Sequence, residues 1–129
     1  MVKVGRDLRE RFAFFQEHAG YIIGERARCA LHLARAELAA EDSGWAVEWE
    51  WEQDIDDSWM SEAERAKDHE WTCALLKDAG GNVLASLGGI CDADRTYRRV
   101  VEAELADEAL ASERHEVRKA RECAACLAL

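Results

Sequence analysis

Apolar residues recur at three- and four-residue steps from about Asp7 to Ala40. Leu8, Phe12, Phe15, Ala19, Ile22 and Ile23 begin the series, and Ala30, Leu33, Ala34 and Leu38 continue it. That period keeps them on one side of an α-helix. Alanine, arginine and glutamate fill the intervening positions, and all three favour helix. Gly20 and Gly24 are the weak points, which leaves a kink or break near residue 20 open. Ser43-Gly44 ends the segment.

The period then changes. In Trp45-Ala46-Val47-Glu48-Trp49-Glu50-Trp51-Glu52 one side reads Trp, Val, Trp, Trp and the other Ala, Glu, Glu, Glu. Strict alternation with aromatic residues predicts a half-buried antiparallel strand that sends Trp45, Trp49 and Trp51 into the core. Residues 53–67 form a polar connection with a helical turn around Ser61-Glu62-Ala63-Glu64. A second strand fits His69 to Lys77, and a third runs from Val83 to about Leu87. Asp78-Ala79-Gly80-Gly81-Asn82 joins the two as a hairpin turn. Gly88-Gly89 should end the third strand. Asp92 or Asp94 can cap a closing helix from about Arg95 to Leu127. Its apolar positions include Tyr97, Val100, Val101, Leu105 and Ala109.

The predicted fold is α+β in the order α-β-β-β-α, a three-stranded antiparallel sheet flanked by two long helices. It forms a single domain: N-terminal helix over 1–42, sheet with acidic strand and loop over 45–90, C-terminal helix over 94–127. A length of 129 residues suits one domain with a real core. The long helices are also compatible with a homodimer.

Charge sharpens this picture. The chain carries a net −10, and residues 41–70, with 12 acidic and 2 basic residues, hold that excess; the flanking segments nearly cancel. Glu48, Glu50 and Glu52 would project from one strand side about 6.7 Å apart, and Asp54, Asp56 and Asp57 carry the stripe into the loop. Such a row attracts cations and basic protein grooves and repels nucleic acid and anionic membrane. Its plain reading is a solvated strand face that also protects an edge from aggregation. Four of the five tryptophans sit beside these acids, which favours a working surface. Trp59, in the polar loop, is the candidate exposed anchor, because tryptophan is over-represented at interface hot spots.

The chemical constellations are weaker. Asp54-Ile55-Asp56-Asp57 opens like a calcium loop, but Trp59 stands where an EF-hand needs glycine and Arg65 where it needs glutamate. A looser Mg²⁺ or Ca²⁺ site would use Asp54, Asp56 and Glu52. Cys123 and Cys126 have the spacing of half a zinc site without a second half. Ser86-Leu87-Gly88-Gly89 is not a nucleophile elbow, although His69 could neighbour it across the sheet. Acids interrupt the basic clusters at Arg95, Arg98 and Arg99 and at Arg118, Lys119 and Arg121, which argues against direct nucleic-acid binding. The five cysteines form no disulfide framework. No stretch of about 18 apolar residues appears, and Met1 to Arg11 lacks a signal-peptide core. A cytoplasmic protein with reduced thiols, no catalytic or metal residues and no cofactor is the expectation.

Three stretches, with the acidic tryptophan strand, resemble uncharacterised small acidic proteins of actinobacterial phages and mobile elements. They are Ala27-Arg28-Cys29-Ala30-Leu31, Asn82 to Ile90, and Tyr97-Arg98-Arg99-Val100-Val101-Glu102-Ala103-Glu104-Leu105. The resemblance implies a context rather than a chemistry. Such proteins often occupy a host protein, sometimes by mimicking DNA, as several anti-CRISPR proteins do. The leading expectation is therefore a non-enzymatic inhibitor. Its face of Glu48, Glu50, Glu52, Asp54, Asp56 and Asp57, with Trp59, would enter the basic groove of a host protein. The alternatives are a small Mg²⁺-dependent hydrolase or nuclease using the same carboxylates and a homodimeric structural domain.

Overall fold

The computed structural model describes residues 2–22, 29–53 and 55–127, with side chains over 7–22, 29–53 and 55–113. Asp54 therefore lies outside the described residues, as do the side chains of His115, Cys123 and Cys126. The N-terminal helical segment is two helices, α1 (Val2–Glu17) and α2 (Ala30–Asp42). After α1 the chain tightens into a single 3₁₀ turn at Ala19–Tyr21 that contains Gly20.

Three strands follow: β1 (Ala46–Trp51), β2 (Trp71–Lys77) and β3 (Val83–Cys91). They form an antiparallel sheet in the order β1-β2-β3. A short helix, α3 (Glu62–Arg65), interrupts the β1–β2 connection; Ser61 caps it, its Oγ accepting from Glu64 N at 3.2 Å. The helix α4 (Arg95–Leu127) closes the chain. The α+β architecture read from the sequence is the one observed, with its first helix divided.

The helices stack on one side of the sheet in two layers. Val101, Leu105 and Ala109 of α4 pack onto Ala74, Leu76 and Ile90 of the sheet. Val100 and Ala103, a fraction of a turn away, meet Phe15 of α1 and Leu33 and Ala34 of α2. Helix α4 is thus buried on two sides, which explains its long apolar inventory. Ala36, Ala40 and Ala106 let α2 and α4 approach closely. In the same interface His32 Nε2 lies 2.5 Å from Oδ1 of the buried Asp107, near enough for an ion pair although without hydrogen-bond geometry. Arg11 of α1 bridges Glu37 and Glu41 of α2, and Arg99 of α4 reaches Glu37 at 3.2 Å.

The β2–β3 hairpin closes as its residues predict. Asp78 Oδ1 accepts from the backbone N–H groups of Gly80 and Asn82, both at 2.9 Å, and Gly81 takes a φ of +84°. Strand β3 does not stop at Gly88-Gly89 but runs on to Cys91. The pairing shifts register there, and Gly89 sits at φ +68°. A glycine in the left-handed region with an extra residue on one strand is a β-bulge. The glycine pair bends the strand rather than ending it.

Candidate functional site

Alternation along β1 divides its residues as expected, but the tryptophans do not share one fate. Trp45 packs between the sheet and α4, and Trp49 lies beneath α4. Trp49 Nε1 donates to Glu102 Oε1 at 2.9 Å, and the Arg98 guanidinium stacks 4.9 Å from the ring centre. Trp51, opposite buried Thr72, is 71 % exposed, which corrects its assignment to the core. The reason is the extent of α4. Its cover runs from Ala106 and Leu110 at Trp45 to Arg98 and Glu102 at Trp49. Two more strand residues add about 6.7 Å, or between four and five helical residues. Trp51 therefore falls level with the start of the helix and receives little cover.

Trp59 is the exposed residue the sequence predicts, at 72 %. The loop holds it there by local bonds. Asp56 Oδ1 accepts from Ser58 N at 3.0 Å, Met60 N donates to the Asp57 carbonyl at 2.9 Å, and the Met60 side chain is buried. The edge of the Trp59 ring meets Trp71, with centroids 6.5 Å apart. Trp51 closes β1 and Trp71 opens β2, so both belong to the same end of the sheet.

The acidic stripe is less free than its sequence suggests. Glu48 binds Lys77 Nζ across the sheet at 2.5 Å. Glu52 reaches over β2 and accepts the Gly89 N–H at 3.0 Å. A side chain at Gly88 would place its Cβ 2.6 Å from Glu52 Oε1, so the glycine makes room for this carboxylate. Asp56 is turned onto Ser58, whose hydrogen bonds hold its carboxyl below the usual range. Glu50 is exposed, and Asp57 is half-buried. These carboxylates do not converge on a point. Among the described residues, the grouping with metal-ligand spacing is His69, Cys91 and Asp92 instead.

That grouping stands where β2 begins and β3 ends. His69 Nδ1 lies 2.6 Å from Asp92 Oδ2, and its Nε2 lies 2.6 Å from the Glu64 carbonyl oxygen. Both neighbours only accept, so the ring shown is the imidazolium, donating from both nitrogens. The Asp92 hydrogen bond, helped by that of Glu64, raises the His69 pKa. Asp92 is drawn down to about 2, first by His69 and then by the Glu70 N–H. The Cys91 thiol points at Asp92 Oδ2 at 3.3 Å and is pushed up to about 11 by burial and by that carboxylate. It is a neutral thiol, not a poised nucleophile.

Asp94, rather than Asp92, caps α4, its Oδ1 accepting from Tyr97 N at 2.7 Å. Ser86 pairs with Leu75, well along the strand from His69, so the two do not meet. Of the predicted basic cluster, Arg98 pairs with Glu70 and Arg99 with Glu37. With Arg95, Phe14, Trp49 and Glu102 they line an open cleft of about 550 Å³. Sequence reading missed the grouping at His69 because its members lie 22 and 23 residues apart. The only local signals were a histidine shortly before one strand and a Cys-Asp pair at the end of another.

No helix among the described residues is long and apolar enough to cross a membrane. Comparison with protein-family models, curated proteins and solved structures returns no significant match.

Proposed function

We propose that this protein is a non-enzymatic interaction domain that inserts the acidic, tryptophan-bearing end of its sheet into a basic groove of a partner protein. The observation that carries the reading is the exposure of Trp51 and Trp59, at 71 % and 72 %, within the segment that holds the whole charge excess. Large exposed aromatic side chains cost solubility unless they serve contact, and tryptophan dominates hot spots. The surrounding carboxylates would steer a basic partner and exclude acidic ones. Among the described residues, strand β1 also has an unpaired outer edge. A groove that ordinarily holds nucleic acid fits this combination, and a phage-encoded inhibitor of such a host protein is its most specific form.

Glu48 and Glu52 serve the fold, so the informative substitutions are elsewhere. A triple variant, Glu50→Lys with Trp51→Ala and Trp59→Ala, should keep the native melting temperature within a few degrees. Affinity capture from a bacterial host lysate is then compared between the native chain and this variant. The expected result is a nucleic-acid-binding protein held only by the native chain, weakened by salt and displaced by duplex DNA. Capture of the same proteins by both chains, or of nothing by either, removes the proposal.

A further inference from the structure

We infer that His69, Cys91 and Asp92 form a three-ligand site for a zinc-like divalent cation, a property separate from partner docking. Three features of the backbone build the site. His69 lies two residues before the start of β2, Cys91 ends β3, and Asp92 follows it beside His69. The two strand ends are locked together: Asp92 N donates to the Glu70 carbonyl at 2.8 Å, and Glu70 N donates to Asp92 Oδ1 at 2.7 Å. Adjacent strand residues normally point to opposite faces. Asp92 instead has a φ of +50°, outside the usual range for a non-glycine residue, and its carboxylate turns back toward the Cys91 sulfur. Strain of this kind persists where the surroundings impose it, and it collects at functional sites.

The donor set and spacing suit zinc. In a tetrahedral site with Zn–S about 2.3 Å and Zn–N and Zn–O about 2.1 Å, sulfur lies about 3.6 Å from either other donor, and nitrogen and oxygen lie about 3.4 Å apart. Here Cys91 Sγ is 3.5 Å from His69 Nδ1 and 3.3 Å from Asp92 Oδ2. The 2.6 Å from Nδ1 to Oδ2 must open most, by about 0.8 Å, and the sulfur–oxygen distance by about 0.3 Å. The Asp92 side chain is 50 % exposed and has room to do this. The orientation of the ring adds the strongest point. His69 Nε2–H donates to the Glu64 carbonyl, the backbone partner that ligating histidines use to fix the tautomer and free the other nitrogen. The ring is 12 % exposed and edge-on to Trp71 at 6.2 Å, so it is held in this pose.

On binding, the cation replaces the proton between His69 Nδ1 and Asp92 and the proton on Cys91, and both pass to buffer. Imidazolium, carboxylate and thiol sum to zero charge, as do the dication, thiolate, carboxylate and neutral imidazole. The exchange leaves the local charge unchanged. With three protein ligands, the fourth position of a tetrahedral ion would fall to solvent, which the half-exposed Asp92 side chain allows.

The test uses the full chain with Cys29, Cys73, Cys123 and Cys126 changed to serine, so that Cys91 is the remaining thiol. Titration with Co²⁺ should give the visible bands of a four-coordinate ion and a near-ultraviolet thiolate-to-cobalt band, saturating at one equivalent and bleached by Zn²⁺. Cys91→Ser should abolish the charge-transfer band. His69→Ala should weaken Zn²⁺ at least about tenfold by calorimetry, the scale of even an outer-sphere loss. Circular dichroism checks that each variant folds, and Asp92→Asn, which keeps the bond to Glu70 N, substitutes for His69→Ala if that variant does not. Absence of the bands in the native-site protein, or their persistence in Cys91→Ser, overturns the assignment and leaves a His–Asp ion pair joining two strands.

Discussion

At the scale of single residues, Glu104 carries the least comfortable carboxylate. Its Oε2 is buried without a hydrogen-bond partner among the described residues, and Glu108 and Asp107 lie one turn on. Burial first, then those two charges, raise its pKa from 4.5 to about 7. Between these values the folded chain holds a proton that the unfolded chain has released, so stability falls as pH rises from about 4.5 to about 7. Glu104→Gln should remove that part of the slope. It should also stabilise the protein at about pH 8 by on the order of 1 kcal/mol, since partial exposure screens much of the shift. Urea unfolding of both chains across this range measures it, and an unchanged slope would point to another group. Nothing local distinguished Glu104 from its neighbours in the sequence. Its discomfort depends on how α4 is packed.

At the scale of elements, the sheet has a covered and an open face, and single substitutions should report which is which. Leu76 on β2 is fully buried against α4, while Leu75, the next residue, is half-buried beside Glu48 and Ser86. Leu76→Ala should cost about 2–5 kcal/mol, and Leu75→Ala less than half of that, by the same denaturation measurement. Equal costs would mean that the open face is covered in solution. This division was legible beforehand for β1, because alternation of tryptophan and glutamate states it outright. For β3 it was not. Gly88-Gly89 is a stop signal and a bulge signal alike, and only pairing with β2, with Glu52 folded over Gly88, distinguishes them.

At the scale of the whole molecule, a net charge of −10 gathered in 30 residues opposes compaction. Raising salt from about 0.01 M to about 1 M shortens the screening length from about 30 Å to about 3 Å. The melting temperature should therefore rise with sodium chloride at fixed pH, read by calorimetry. A fall would show that ion pairs such as those of Glu37 with Arg11 and Arg99 outweigh the repulsion. The same screening should loosen partner capture, so stability and binding are expected to move in opposite directions with salt.

Periodicity, capping residues and charge are properties of short stretches, so the α-β-β-β-α order, the acidic centre and the exposed Trp59 were legible locally, whereas the division of the N-terminal helix and the run of β3 past Gly88-Gly89 were not. Tertiary structure decided the rest. The length of α4 left Trp51 uncovered although its alternation matches that of buried Trp49. Cross-strand register gave Glu48 to Lys77 and Glu52 to Gly89, so the stripe is not six equivalent charges. A bulge at Gly89 and a left-handed Asp92 brought Cys91 and Asp92 to His69. Each of these outcomes depends on which residue of one element lies opposite which residue of another, and no local pattern encodes that.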